Sequence, residues 1–165
     1  MAKTILDGIA QLHYVATIAD PDAPSLAEIT AGTELSAYLR PGGDWSPIEG
    51  STADASTVDS AFNKTARGTF GGQPFTGMFS NDSTPGGDTA WSTLPRGTTG
   101  YFVVSYYGGG GADGALQNGD TVTVFPIDVY TRKRSNYTRN EIAVFQVDAA
   151  VTDEPSEDVV IGIAS

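Results

Sequence analysis

The sequence has no cysteine and a single histidine, His13, among its 165 residues. Without cysteine, the chain can form no disulfide framework, thiol nucleophile or thiolate metal site. One histidine is too few for the zinc sites that use several, and it nearly excludes nucleophile–histidine catalysis. We interpret His13 as a side chain on the face of a predicted strand.

Basic residues are also scarce, because nine Lys and Arg stand against twenty Asp and Glu, for a net charge of −11. Proteins that bind nucleic acid need a basic surface to displace counterions, so we expect this protein to repel DNA. No apolar run approaches the roughly 18 residues of a membrane helix, and the first residues lack the apolar segment of a signal peptide. We therefore expect no membrane association.

Motifs that carry chemistry are largely missing. Two aspartate pairs could offer oxygen ligands to Ca²⁺, but neither has the spacing of a calcium-binding loop, and turns and helix caps explain them. These pairs are Asp20 with Asp22 and Asp82 with Asp88. The run Gly108–Gly111 is not followed by the Gly-Lys-Ser/Thr of a phosphate-binding loop. Paired carboxylates of a glycoside hydrolase stay open, because twenty acids always allow some pairing. We predict a protein that is not an enzyme and has no metal or cofactor.

What the sequence does contain is typical of a mainly β domain. Glycine, threonine and serine are abundant, helix formers are few, and short β-rich runs are separated by turn residues. We predict one domain over residues 1–165. Its predicted strands are Gln11–Ile18, Thr33–Leu39, Val58–Ala66, Gly72–Ser80, Gly100–Tyr107, Thr121–Tyr130 and Glu141–Val151.

One short α-helix is predicted over Gly86–Leu94. Asp88 is a good N-cap, and Pro95 ends the helix. Its apolar stripe, which includes Trp91 and Leu94, is expected to pack on a sheet. With Phe125 from a strand, these two residues form the predicted core around the helix. A further helical turn could follow the turn that opens residues 20–30.

Three segments are predicted as loops or tails. Residues 40–57 form a long loop with Trp45, residues 108–119 a glycine-rich loop, and residues 152–165 an acidic tail. A loop as long as the first is usually functional or disordered in a compact domain.

A basic cluster, Thr131–Arg139, joins the last two predicted strands. A nucleic-acid patch is conceivable, but we favour a solvated hairpin or a complement to an acidic surface on another copy. In the second case Arg132, Lys133 and Arg134 would meet the acidic tail. The tail carries, among other acids, Asp153 and Glu154.

Several segments, in order along nearly the whole chain, resemble major tail tube proteins of long, non-contractile-tailed phages, notably those of actinobacteria. The clearest are similar to the motifs D-T-A-W-x-x-L-x-R-G-T-x-G-Y and G-D-x-V-x-V-Y/F-P of that family. The matching segments are Ala2–Gly8, Ile18–Leu35, Ser56–Asp59, Arg67–Gly72, Asp88–Tyr101, Gly119–Pro126 and Asn140–Val147. The departures are a longer glycine-rich insert, Gly108–Gly114, and the basic cluster; both fall in loops.

The resemblance implies a β-sandwich or partly closed barrel with one short helix, as in type VI secretion tubes. It implies six copies in a ring, with rings stacked into a hollow tube around a tape measure protein. A tail terminator and distal tail proteins would meet the ends of the tube. The tube would be assembled in the host cytoplasm and kept in the virion, and genomic DNA would pass through it without specific binding. Within such a tube, the loop with Trp45 is expected to contact the next ring.

The wall of such a tube needs short polar or acidic residues toward the bore. From strand alternation we expect the bore-facing residues to include Glu34, Ser36, Asp59, Asn63, Gln146 and Asp148. Six copies would turn each carboxylate into a ring of negative charge, with no Lys or Arg where phosphates pass. The alternative is that these acids lie on the outer wall and only keep the particle soluble.

Two functions of other classes stay open from the sequence. One is a glycan-binding β-sandwich, supported by Trp45, Tyr106 and Tyr107 near loops. The other is a different virion part, such as a head decoration or tail completion protein, which would form closed oligomers and would not polymerise.

Overall fold

The computed structural model describes residues 9–45, 48–54, 65–81, 88–134 and 139–162. Side chains are described for these residues except Asp44, 52–54 and 65–70. The described residues form ten strands, two α-helices and one 3₁₀ turn at Ala112–Gly114. The helices are α1 (Leu26–Ala31) and α2 (Thr89–Thr93). The strands are β1 (Gln11–Val15), β2 (Thr33–Glu34), β3 (Leu39–Asp44), β4 (Ile48–Asp54), β5 (Thr65–Gly72), β6 (Phe75–Ser80), β7 (Thr99–Ser105), β8 (Thr121–Arg134), β9 (Val144–Val151) and β10 (Ser156–Val160).

Eight of these strands form one antiparallel sheet. Its order is β2-β1-β7-β8-β9-β6-β3, and β10 pairs with the first part of the long strand β8. Strands β4 and β5 pair only with each other, as a separate two-stranded ribbon that we call the arm. The prediction of a mainly β fold is confirmed.

The large sheet is rolled up on itself. Its two outermost strands, β2 and β3, are separated in the chain only by residues 35–38, which can span at most about 19 Å. In a flat sheet the same strands would lie six spacings, or about 29 Å, apart. The rings of Phe75 on β6 and Phe102 on β7 are 4.7 Å apart although two strands lie between them in the sheet. The sheet is therefore a partly closed barrel, with no closure between β2 and β3 among the described residues.

The main hydrophobic core fills the concave side of this sheet. Five phenylalanines are fully buried, and they are Phe75, Phe79, Phe102, Phe125 and Phe145. On the convex side, one half of the sheet is covered by α1 and the end of the chain, which bury Ile29 and Ile161 against Val103, Val122 and Val124. The other half of the convex side, on β3, β6, β9 and the end of β8, carries mostly half-exposed side chains.

Two helices are present where one was predicted. Helix α2 begins as expected, with the Asp88 carboxylate accepting a hydrogen bond from the Trp91 amide. Helix α1 begins with a capping box, in which Ser25 and Glu28 each bond the other's backbone amide. This Ser-x-x-Glu spacing was the available sequence signal for α1.

The predicted strand Thr33–Leu39 is wrong. Strand β2 ends at Glu34, and the chain then makes one helical turn in which the amides of Tyr38 and Leu39 bond the Leu35 carbonyl. The alternation seemed strand-like because Leu35 is fully buried while its neighbours are polar. The turn is what brings the chain from one edge of the rolled sheet to the other.

The other departures concern segments predicted as irregular. Residues 40–54 hold most of β3 and all of β4, and residues 156–160 form β10, which is paired along β8. Gly42 and Gly43, both with positive φ, lie where the pairing of β3 with β6 is irregular. These glycines made the segment resemble a loop in the sequence. The predicted strand Val58–Ala66 lies mostly outside the described residues.

Candidate assembly surfaces

The exposed half of the convex face is a polar surface built by strand register. Gln146 on β9 lies between Met78 of β6 and Lys133 of β8, and Asp148 lies between Thr76 and Thr131 on the same strands. The amide of Gln146 donates a hydrogen bond of 2.7 Å to the Asp148 carboxylate. We call this surface, on β3, β6, β9 and the end of β8, the polar face.

Two cations share the polar face with these residues. Gln146 lies in a row of cross-strand partners that runs across four strands. The row consists of Arg40 on β3, Met78 on β6, Gln146 on β9 and Lys133 on β8. Alternation therefore directs both bases to the side of the sheet that carries Asp148. Gln146 and Asp148, two of the residues predicted to face the bore, therefore have Arg40 and Lys133 beside them. Sequence reasoning missed this because the pairing of β3 with β6 depends on contacts remote in the chain.

A bulge in β8 sets the direction of the basic residues that follow it. Val129 is opposite Ala149, but Thr131 is opposite Asp148, so one extra residue lies in β8 between these pairs. Beyond the bulge, Arg132 and Arg134 share the concave side with their partners Val147 and Phe145.

There the two arginines cover one side chain of helix α2. Their guanidinium carbons lie 3.8 and 4.3 Å from the Trp91 ring centroid. Arg132 also donates a hydrogen bond to the Trp91 carbonyl, and the edge of the indole meets the Phe145 ring at 5.1 Å. The first part of the basic cluster is thus the end of strand β8, and two of its arginines stack on Trp91. One of the predictions for this cluster was a solvated hairpin. The bulge could not be predicted from the sequence, because neither Tyr130 nor Thr131 is a residue type that indicates one.

Acidic side chains gather beside the other end of β8. Asp22, Asp153, Glu154 and Glu157 line one broad groove together with Tyr101 and Pro126, and all four acids are exposed. The hydroxyl of Ser156 donates to the Asp22 carboxylate at 2.6 Å, and the Asp153 carboxylate accepts from the Glu154 amide at 2.8 Å. We call this surface the acidic groove.

The remaining residues predicted to face the bore are dispersed. Glu34 is exposed on β2, where it is opposite His13 of β1, on a part of the sheet remote from Gln146 in strand order. Ser36 lies in the turn after β2, and its hydroxyl accepts a hydrogen bond of 2.9 Å from the Leu12 amide. Asp59 and Asn63 lie outside the described residues.

Trp45 packs against its own molecule. It is half-buried on the main core, its ring nitrogen donates to the Gly42 carbonyl, and its own carbonyl accepts from the Tyr106 hydroxyl at 2.8 Å. Tyr107, by contrast, is 69% exposed. The three aromatics suggested for a glycan site therefore form no open platform.

The residues predicted for the core around α2 have unequal burial. Leu94 and Phe125 are fully buried. Trp91 is half-buried, with the arginines covering the part that the core leaves exposed.

His13 is a half-buried titratable group on β1. Its Nε2 atom is buried and has no hydrogen-bond partner among the described residues. Burial lowers the pKa of His13 below its usual value, and the charge of Glu34 partly opposes this change. Glu28 has a lowered pKa because backbone amides of Ala19 and Ser25 donate to its carboxylate.

Within the described residues, no group of three or more His, Cys, Asp or Glu is placed to hold a metal ion. None of their helices has the length and apolar character required to cross a membrane.

No curated protein matches the chain. The family model described as phage tail tube protein matches residues 1–164, nearly the full length. This match agrees with the rolled β-sheet of the structure. The chain belongs to the phage tail tube protein family, whose members are structural components of the virion tail and not enzymes.

Proposed function

We propose that this protein forms the hollow tube of a long, non-contractile phage tail by assembling into stacked hexameric rings. The tube would be built in the host cytoplasm around a tape measure protein, between distal tail proteins and a tail terminator. Genomic DNA would later pass through the bore without specific binding. Family membership supports the tube, and the number of copies in a ring rests on the resemblance described above.

The open sheet is the observation that carries this proposal. Within the described chain, β3 pairs on one side only, with β6, and β2 pairs on one side only, with β1. Unpaired strand edges recruit further strands, and monomeric proteins usually cover or charge them. A ring can instead pair such an edge with a strand of the next copy, and a repeated contact of this kind continues from copy to copy.

The polar face is the surface that we propose for the bore. It is the part of the large sheet that neither α1 nor the end of the chain covers, and its strands alternate between buried and half-exposed residues. In six copies, Asp148 would contribute a ring of carboxylates, with the net charge of −11 per chain keeping DNA from binding elsewhere. Lys133 and Arg40 would interrupt this lining, so the bore would be mixed in charge and not uniformly acidic.

The arm is a sheet separate from the large one, and Ile48 at its start packs against the main core. Strands β4 and β5 pair with each other in a sheet of their own, and Gln73, which follows β5, donates to the Glu49 carboxylate at 2.9 Å. A two-stranded ribbon is marginally stable alone, which favours a second surface that holds it. We propose that the arm contacts a copy in the neighbouring ring, in the place first expected for a loop with Trp45.

Negative-stain electron microscopy of the purified protein tests the proposal. Long hollow tubes of constant diameter are the expected result. Discrete closed particles at every concentration and in the presence of the tape measure protein would contradict it, and they would favour a tail completion or head decoration role. Deleting residues 49–71, which removes the arm, should leave a folded protein that forms no tubes; normal tubes from this variant would exclude the arm as a ring contact.

A further inference from the structure

We propose that copies of this chain meet head to tail through opposite charges, with the basic end of one β8 strand placed in the acidic groove of the next copy. The inference rests on the proposed tube and specifies one of its contacts. The occupant of the groove is a second copy, and the residues that enter it are Arg134 and Arg139, with Lys133 beside them.

The basic end has no neutralising partner in its own described chain. The contacts of Arg132 and Arg134 there are the Trp91 ring and carbonyl, which carry no formal charge. Lys133, Arg134 and Arg139 are exposed. In a protein of net charge −11, four cations within eight residues of the sequence that form no ion pair with the described residues are unlike the rest of the surface.

The acidic groove has the opposite charge to the basic end, and its carboxylates likewise form no ion pair with the described residues. In the described chain the Asp22 carboxylate accepts a hydrogen bond from the Ser156 hydroxyl, the Asp153 carboxylate accepts one from the Glu154 amide, and no base lines the groove. Glu154 and Glu157 are exposed beside them. The groove is broad and shallow enough to admit long side chains, and its proline and tyrosine walls offer an apolar surface to their stems.

The two surfaces cannot meet within one molecule. Pro126 of β8 lines the groove, and Arg134 is eight residues further along the same strand. At about 3.3 Å per residue this length of strand spans about 26 Å, beyond the reach of an arginine side chain. Complementary patches at opposite ends of a rigid strand create a contact between unlike surfaces, which continues from copy to copy.

Trp91 gives the basic end a fixed direction. Stacking on the indole holds the two guanidinium groups near one position without neutralising them. Less side-chain entropy is then lost when they meet carboxylates. The bulge in β8 is what aligns both arginines with this ring.

Charge reversal at each end tests the contact. The basic-end variant is Arg134→Glu with Arg139→Glu, and the groove variant is Asp153→Lys with Glu154→Lys. Each should raise the protein concentration needed for tube formation at least about tenfold at low salt, because like charges then face each other. Controls are Arg96→Glu and Asp113→Lys, which reverse exposed charges outside both surfaces and should assemble as the unaltered protein does.

Mixing the two variants gives the decisive result. One variant then has two acidic ends and the other two basic ends, so an equal mixture should assemble at close to the unaltered concentration. Circular dichroism and thermal melting of each variant alone check that folding is kept. Normal assembly by either variant alone, or folded variants that stay unassembled when mixed, would overturn the inference. Absence of tubes from the unaltered protein would instead contradict the proposed function itself.

Discussion

The guanidinium carbon of Arg132 lies 3.8 Å from the centroid of the Trp91 ring, and the same arginine donates a hydrogen bond to the Trp91 carbonyl. Trp91 belongs to a helix of five residues, too short to be stable alone. The arginine from β8 and the Phe145 ring from β9 therefore hold this helix on the sheet. This contact joins a structural element of the core to the basic end of the molecule.

Replacing Trp91 by alanine should destabilise the fold. Loss of the indole removes its packing on Phe145 and the support of two arginines, so we expect a decrease of about 3 kcal/mol in the free energy of unfolding. Urea unfolding of dilute protein, followed by circular dichroism, measures this value. Trp91→Phe keeps an aromatic ring and should lose less. A Trp91→Ala protein as stable as the unaltered one would show that α2 is not held by this side chain.

Alanine substitutions at Gly42 and Gly43 distinguish the cost of a steric clash in β3 from the cost of an unfavourable backbone conformation. Both have positive φ, but a Cβ at Gly43 would lie 2.1 Å from the Thr76 carbonyl oxygen, whereas a Cβ at Gly42 would meet no atom within 4 Å. Gly42→Ala should cost about 1 kcal/mol from backbone conformation alone, and Gly43→Ala clearly more, because β3 must also move away from β6. Thermal unfolding compares the two. Equal losses would mean that β3 and β6 are not in close contact at Gly43.

Stability should depend on pH through His13. Burial lowers its pKa in the folded protein, so the unfolded chain takes up a proton first as the pH falls through the usual value of about 6.5. The folded state therefore loses stability on acidification through this range, and it loses nothing from this group at higher pH. The measurement is the melting temperature at pH 7.5 and pH 5.5, values chosen on either side of about 6.5.

The matched variants for this effect are His13→Gln and Glu34→Gln. The glutamine at position 13 does not titrate and should show a smaller decrease in melting temperature than the unaltered protein. Removing Glu34 takes away the charge that favours protonated His13, so its decrease should be larger. A His13→Gln protein with the full decrease would assign the pH dependence to other groups.

The sequence contained much of the fold but little of its surfaces. Asp88, Trp91 and Pro95 predicted the position of α2, and runs such as Thr121–Tyr130 predicted strands because burial requires apolar side chains there. The turn at residues 35–38 was missed because a buried Leu35 between polar neighbours has the same pattern in a strand and in a helical turn.

The candidate surfaces depend on register, which a single sequence does not reveal. The extra residue in β8 reverses the faces of Arg132 and Arg134, and the pairing of β3 with β6 puts Arg40 in one row with Gln146. Neither pairing follows from local preference, because each is determined by residues more than ten positions away. Charge composition and strand alternation therefore predicted an acidic lining around Gln146 and Asp148 without their basic neighbours Arg40 and Lys133.

The decisive measurement is a cryo-electron microscopy reconstruction of the assembled tube. We expect it to show six copies per ring, with the polar face and its residues Gln146, Asp148 and Lys133 lining the bore. A tube in which these three side chains lie on the outer wall, while another face of the chain lines the bore, would contradict this proposal.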